Sequence, residues 1–240
     1  MPGQRHITFD VVGTLVSFDA YFNKIEKTIG SKLAANGLTA KAFGYTWMTA
    51  AELEFTFLSL SERHRPYKQI LSVLFYRTMF LSGVPEARNI FTDQERESCI
   101  SGYSDLELRP GVIECFSILR DAGFTIWLLT TADLERVQGY FSKAGVSMPA
   151  ENFISCDSTG LAKPALNAYR PALAKFAESD EKWFAAAHMW DVSAAVKVGF
   201  KGAYCGVYEK ESCLEIFGDQ MTVMADDLTT MAKKIVKAAC

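Results

Sequence analysis

Asp10 carries the clearest chemistry in this chain, because it closes a short apolar strand and opens a Gly-Thr turn in the run His6-Ile7-Thr8-Phe9-Asp10-Val11-Val12-Gly13-Thr14-Leu15. A carboxylate held by loop amides and the Thr14 hydroxyl in a dry cleft can attack a carbon that bears a leaving group and form an ester. Water must then cleave that ester at the Asp10 carboxyl carbon. Three later segments supply the partners: Leu128-Leu129-Thr130-Thr131, Lys163-Pro164 and Trp190-Asp191, each at the end of a predicted strand or the start of a predicted helix. Asp191 is the candidate to orient or deprotonate the water, and Lys163 would offset repulsion between two clustered carboxylates while keeping Asp10 ionised. Thr130 would hydrogen-bond a substrate carboxylate or Asp10 itself.

Each residue also has a plain structural reading. Asp10 could be a turn aspartate accepting backbone hydrogen bonds, Lys163 a solvated lysine ahead of a proline-started helix, and Asp191 an N-cap accepting from amides near Ser193 and Ala194. Thr130 suits a strand end, and Trp190 and Tyr169 suit packing. The four segments taken together favour an enzyme.

Two styles of periodicity position these residues. From Ser17 to about Ser104 the chain reads as helical: Phe18, Phe22, Ile25, Ile29 and Leu33 form one stripe, Trp47, Ala51 and Leu53 begin a second, and Ile70, Leu71, Leu74, Phe75, Met79 and Leu81 form a third. From Arg109-Pro110-Gly111 onward, short apolar strands alternate with helices, the pattern of a mostly parallel sheet covered on both faces. The expected strands are Phe124–Thr130, Asn152–Cys156, Trp183–His188, Gly202–Cys205 and Met221–Met224. Helices are expected near Val112–Ala122, Leu134–Lys143, Ala165–Phe176, Ser193–Val198 and Leu228–Ala238, with Gly123, Gly145, Gly199 and Gly202 at helix ends or turns. Ser158-Thr159-Gly160-Leu161-Ala162 reads as a loop. The expected architecture is an α/β core domain, residues 1-16 and 105-240, into which an α-helical cap domain, residues 17-104, is inserted. Ligands of open α/β sheets bind beyond the carboxyl ends of the strands where strand order reverses, and Asp10, Thr130 and Asp191 all fall near such ends.

The bulk numbers exclude several classes. The 240 residues are 49% hydrophobic and 22% charged, which suits a folded globular chain. A net charge of −3 provides no basic field for phosphate backbones, so a small molecule is the expected partner and nucleic acid is not. The six cysteines (Cys99, Cys115, Cys156, Cys205, Cys213, Cys240) show no CxxC pair and no zinc-like spacing with histidine, so free thiols in a reducing compartment are expected. The polar Thr8 and the Asp10 turn interrupt any secretory pattern, and no apolar run approaches the roughly 20 residues of a membrane span. Cytoplasm, with no membrane partner, is the expected location.

The ordered set of Asp-x-x-Gly-Thr turn, strand-end Thr130, Lys163-Pro164 and Asp191 resembles the haloacid dehalogenase superfamily over essentially the full length. That resemblance implies a Rossmannoid (HAD-like) core with an inserted cap. Phosphatases of the superfamily place a second aspartate two residues after the nucleophile, and here that residue is Val12. With Tyr169 six after Lys163, Trp190 beside Asp191, and Tyr45-Thr46-Trp47 in the cap, the chain is most similar to type II 2-haloacid dehalogenases. The resemblance implies a hydrolase acting on carbon–halide bonds of a small 2-substituted carboxylic acid through an aspartyl ester, with no cofactor and, by analogy, a possible homodimer. Asp10, Thr14, Thr130, Lys163 and Asp191 are the candidate catalytic residues; Val11, Val12, Thr131, Tyr169, His188 and Trp190 are the candidate substrate contacts.

The chain also departs from that branch. Met48-Thr49 stands where a cap arginine would cradle the halide, Thr131 where an asparagine follows the strand-end hydroxyl, Ala186-Ala187-His188 where Ser-x-Asn precedes Trp-Asp, and Val12 where an aromatic is usual. Loss of one donor to a developing charge costs on the order of 10²–10³ in rate. Arg63, Arg65 or Arg77 could replace the arginine, although Glu62-Arg63-His64-Arg65 reads as a solvated connection. His188 could donate to a substrate oxygen, act as a base or sit satisfied at a strand end. Two other functions stay open: a Mg-dependent phosphohydrolase binding the ion through Asp10, the Val12 carbonyl and Asp191, and a repurposed or non-hydrolytic protein in which the aspartates preserve the fold.

Overall fold

The computed structural model describes residues 3–156, 160–218 and 220–239. Cys240 and the Ser158-Thr159 part of the expected loop lie outside the described residues. The chain divides into two compact units, Met1–Ser17 with Leu108–Cys240, and Phe18–Glu107.

The first unit is built on strand β1, Arg5–Phe9, whose last four residues are buried. The strand is paired on both edges, and its polar residues His6 and Thr8 are buried along with Ile7 and Phe9. β2 (Phe124–Thr130) pairs with it on one side and β4 (Glu181–Ala186) on the other, both parallel, so that Phe9 lies level with Leu128 and with Ala185. β3 (Phe153–Ser155) extends the sheet beyond β2, and β5 (Lys201–Cys205) and β6 (Val223–Ala225) extend it beyond β4. The order is therefore β3-β2-β1-β4-β5-β6. Strand order reverses at β1, which opens a crevice beyond the carboxyl ends of β1, β2 and β4.

Helices follow the strands: α6 (Val112–Asp121), α7 (Leu134–Lys143), α8 (Leu166–Leu173), α9 (Met189–Val198) and α10 (Leu228–Ala238). α7 shows the logic. Val137, Tyr140 and Phe141 recur at spacings of three and four and are buried, and the Asp133 side chain caps the start by accepting from the Arg136 amide at 2.8 Å. Each such fully buried apolar side chain contributes about 1.5–3 kcal/mol.

Several expected boundaries shift. β4 ends at Ala186, two residues before the expected His188, because His188 is extended and serves as the N-cap of α9. α9 consequently begins at Met189 instead of Ser193, and Asp191 lies inside its first turn and is not its cap. β6 is Val223–Ala225 instead of Met221–Met224, and α8 is shorter than expected at both ends. Gly202 is not at a turn. It lies within β5, where a Cβ would come within 2.6 Å of Val196 Cγ2 on α9, so glycine is what lets helix and strand approach.

The second unit is helical: α1 (Asp19–Ala35), α2 (Ala40–Leu60), α3 (Tyr67–Leu81), α4 (Ala87–Ile90) and α5 (Asp93–Ser101). Thr39 caps α2, and Thr92 with Glu95 forms a capping box on α5. Ile25, Ile29, Leu33, Trp47, Ala51, Phe55 and Phe75 are buried, and the Trp47 indole donates to the Leu71 carbonyl at 2.8 Å. Leu53 and Leu81, placed on apolar stripes by their spacing, are exposed, as are Phe57 and Phe80. Neither stripe is wide enough to turn those positions inward.

No helix among the described residues is long and apolar enough to cross a membrane. The five described cysteines are unbridged; Cys99, Cys115, Cys156 and Cys205 are buried and Cys213 is exposed. Burial raises the Cys99 and Cys115 thiols to about 12, which keeps both protonated.

Candidate active site

The turn after β1 is fastened from within. Leu15 and Val16 amides donate to the Val11 carbonyl at 2.9 and 3.0 Å, the Gly13 amide donates to Val16 at 2.8 Å, and Gly13 adopts φ +94°, where a side chain would be strained. Arg109 grips the Gly13 carbonyl through Nε and an Nη at 3.2 and 3.0 Å. The Asp10 amide is tied to the Ala185 carbonyl of β4 at 3.0 Å. Backbone and turn together leave the Asp10 carboxyl at the head of the sheet, 6% exposed.

Seven of the sequence-predicted residues meet there. Thr14 Oγ1 donates to Asp10 Oδ2 at 2.6 Å and accepts from the Ala187 amide at 2.8 Å. Because its lone pair takes the amide proton, its own proton is directed at the carboxylate. Lys163 Nζ bridges Asp10 Oδ1 at 2.7 Å and Asp191 Oδ2 at 2.6 Å, and reaches the Leu129 carbonyl at 3.3 Å. The lysine is buried, which removes the solvated reading. Tyr169, on α8, donates to Asp191 Oδ1 at 2.5 Å. His188 Nδ1 stands 3.4 Å from Asp10 Oδ2, its ring packed on Trp190 (5.5 Å) and Tyr208 (5.1 Å). Trp190 also lies 6.0 Å from the Lys163 ammonium, within cation–π range.

The remaining candidates are placed differently. The Thr130 hydroxyl accepts from the Ala132 amide at 3.0 Å, and among the described residues it does not bond Asp10. This is the short loop that ends β2 fastening itself. Thr131 is half-buried, with no hydrogen bond to Asp10, Lys163 or Asp191 among the described residues. Val11 is wholly buried, with its carbonyl committed to the turn, so its side chain serves the core. Val12 is half-buried and bridges to Val16. In the second unit, Arg77 pairs with Glu54 at 2.8 Å, and Arg63 and Arg65 are exposed.

Sequence reasoning missed four contributors. The Leu129 carbonyl and the Ala187 amide are main-chain groups, which residue types cannot announce. Tyr208 packs on the His188 ring from the turn after β5, and Glu209 accepts from the Met189 amide at 2.9 Å at the start of α9. An aromatic–acidic pair following a strand in the chain was the available signal.

Electrostatics separate the two aspartates. Burial alone would raise Asp10, but the Lys163 ammonium and then His188 outweigh it and hold the carboxyl well below the usual range. Burial raises Asp191 as well; Lys163 pulls it down, the charge of Asp10 pushes it up, and the net direction is upward. Burial would lower Lys163, and the two carboxylates reverse that and raise it. The site thus holds an ionised carboxylate, a fixed ammonium and a second carboxyl with greater affinity for a proton. That division matches a nucleophile, its counter-ion and a proton acceptor.

The family model described as haloacid dehalogenase-like hydrolase matches residues 4–199. The chain is similar to (S)-2-haloacid dehalogenase 1 of Pseudomonas sp. (strain CBS-3), with 22% identity over 82% of each chain. Among solved structures it is similar to the L-2-haloacid dehalogenase RSc1362, with a TM-score of 0.80, 17% identity, and 98% of this chain and 99% of that one covered. It is also similar to the L-2-haloacid dehalogenase from Xanthobacter autotrophicus with chloropropionic acid covalently bound, with a TM-score of 0.74, 14% identity, and 97% and 98% covered.

Proposed function

The chain belongs to the haloacid dehalogenase-like hydrolases, and from that premise we propose that it hydrolyses a small 2-substituted carboxylic acid, nominally a 2-haloacid, through an ester on Asp10. The observation that carries this reading is the buried Asp10–Lys163–Asp191 row, in which one ammonium holds two carboxyls at 2.7 and 2.6 Å.

An ionised carboxylate has about four acceptor positions. On Oδ2 the Thr14 hydroxyl takes one and His188 faces the other; on Oδ1 Lys163 takes one. Oδ1 keeps a lone pair and is the attacking atom. Its electron pair forms the bond to C2 of the substrate as the carbon–halogen bond breaks, and halide departs with the bonding pair. Water then adds to the Asp10 carboxyl carbon and gives a proton to Asp191, whose oxygens each carry one donor and keep a second lone pair. The carboxyl carbon–oxygen bond to the substrate breaks, the departing oxygen takes the proton from Asp191, and Asp10 loses its remaining proton to solvent. A 2-hydroxy acid, halide and one proton result. Lys163 stands beside the departing oxygen and offsets its charge.

Magnesium, which Asp10, the Val12 carbonyl and Asp191 would hold, competes with the Lys163 ammonium that already pairs with Asp10 Oδ1 and Asp191 Oδ2, while Tyr169 donates to the other Asp191 oxygen. Among the described residues no group of three or more His, Cys, Asp or Glu side chains is arranged to hold a metal. The chemistry proposed here runs without one.

The test is single-turnover reaction with 2-chloropropionate or 2-bromopropionate in ¹⁸O-water, with mass spectrometry of the peptide containing Asp10, alongside a panel of phosphate esters with and without magnesium. Label in Asp10 and halide release lost on Asp10→Asn are expected. Magnesium-dependent phosphate release with no halide release would replace this reading with the phosphohydrolase.

A further inference from the structure

We propose that His188, together with Thr14, forms the oxyanion site of the ester intermediate, which makes His188 a catalytic residue of the hydrolytic half-reaction. The inference rests on the aspartyl-ester reading and deepens it. When Oδ1 of Asp10 becomes the ester oxygen, Oδ2 becomes the carbonyl oxygen. Addition of water to the carboxyl carbon moves the carbonyl electron pair onto Oδ2, and that pair returns when the bond to Oδ1 breaks. Two side chains face Oδ2: the Thr14 hydroxyl at 2.6 Å and His188 Nδ1 at 3.4 Å.

Both are held in advance of the reaction. Thr14 is fixed by the Ala187 amide, which donates to its oxygen. The His188 ring is packed on Trp190 and Tyr208, and its backbone is fixed as the N-cap of α9, with the Asp191 and Val192 amides donating to its carbonyl at 3.2 Å. Prepositioned donors aimed where charge develops do not reorganise during the step, and they gain strength in a site that excludes water. The 3.4 Å separation in the resting carboxylate is long for a hydrogen bond, so the contact has room to tighten as charge gathers on Oδ2 of the ester. Lys163 cannot take this part, because its contact is with Oδ1.

The test uses rapid quench of full-length protein with 2-bromopropionate, following the mass of the Asp10 peptide over one turnover. In the unsubstituted protein the adduct forms and decays, and ¹⁸O from water enters Asp10; if no adduct or label appears, the ester reading fails and this inference falls with it. In His188→Ala the adduct is expected to form within a few-fold of the normal rate and to decay on the order of 10²–10³ slower, the cost of one oxyanion donor. His188→Asn, which keeps an amide donor one bond from Cγ as Nδ1 is, should recover most of that decay rate, and unchanged far-UV circular dichroism verifies both folds. Normal adduct decay in His188→Ala, equal loss of formation and decay, or His188→Asn as slow as His188→Ala would each overturn the assignment.

Discussion

The ammonium of Lys163 lies 2.7 Å from Asp10 Oδ1 and 2.6 Å from Asp191 Oδ2, with all three side chains almost wholly removed from solvent. Two buried carboxylates without a cation would repel one another and carry the full cost of leaving water. The lysine comes from the segment before α8, the aspartates from the ends of β1 and the start of α9, and the contact exists only because the parallel sheet brings those three chain positions to one edge.

Lys163→Met keeps the length of the side chain and removes the charge. Breaking a buried pair by removing one partner costs about 3–5 kcal/mol, so equilibrium urea unfolding should show a loss of that order. Without the ammonium, burial dominates at Asp10 and pushes its carboxyl upward, so ester formation should also weaken and recover partly as pH rises. Unfolding free energy within about 0.5 kcal/mol of the parent, the range of ordinary surface substitutions, would contradict this account.

Tyr169→Phe removes the hydroxyl that donates to Asp191 Oδ1 at 2.5 Å and changes little else in the packing against Phe184. A buried carboxylate oxygen left without its donor costs about 1–3 kcal/mol. The effect on turnover should be concentrated in ester decay, since Tyr169 touches Asp191 and not Asp10. Single-turnover rates for adduct formation and decay, measured separately, distinguish that from a general loss of order.

Much of this site was legible in residue types because it sits where strands end. Asp10, Lys163 and Asp191 are polar side chains next to apolar strands or in a Lys-Pro segment ahead of a helix, and a parallel sheet gathers strand ends whatever the helices between them do. What was not legible depends on register and on the main chain. His188 passes for the end of a strand until the start of α9 is known, and the switch from strand to helix there rests on one extended residue. The fastening of Thr130 to Ala132 is local to its turn and invisible in composition. Leu53 shares a stripe with Trp47 in the sequence and faces outward in the fold, because a spacing of six drifts off the buried face of a helix.

Gly202→Ala tests the approach of α9 to β5 on which the position of Asp191 depends. An added Cβ would meet Val196 Cγ2 at 2.6 Å, Met221 Sδ at 2.9 Å and Val192 Cγ1 at 3.0 Å. Overpacking of this kind costs about 1–3 kcal/mol. The thermal midpoint should fall, and activity with it, as α9 is displaced. An unaltered midpoint would show that the side chains give way without moving the helix.

The opposite shifts of the two aspartates predict different acid limits for the two half-reactions. Asp10 is held below its usual 3.8, so it remains ionised and able to attack down to a pH below that value. Asp191 is raised above 3.8, so it loses its capacity to accept a proton from water while Asp10 is still a competent nucleophile. Single-turnover profiles should therefore show ester formation level on the acid side while ester decay falls, and the adduct should accumulate as pH is lowered. Stability follows the same signs. The contribution of Asp10 is present above its unfolded value and is lost as pH falls through its lowered folded value; that of Lys163 is present below 10.5 and is lost as pH rises through its raised one. Asp191 acts oppositely to Asp10, favouring the folded state at acid pH and losing that contribution as pH rises from 3.8 through its raised value. Asp191→Asn removes the proton acceptor but keeps a polar side chain beside Lys163, so adduct should form and persist across the whole range. Decay in that variant with the parent's acid limb would assign the limit, and the proton transfer, to another group.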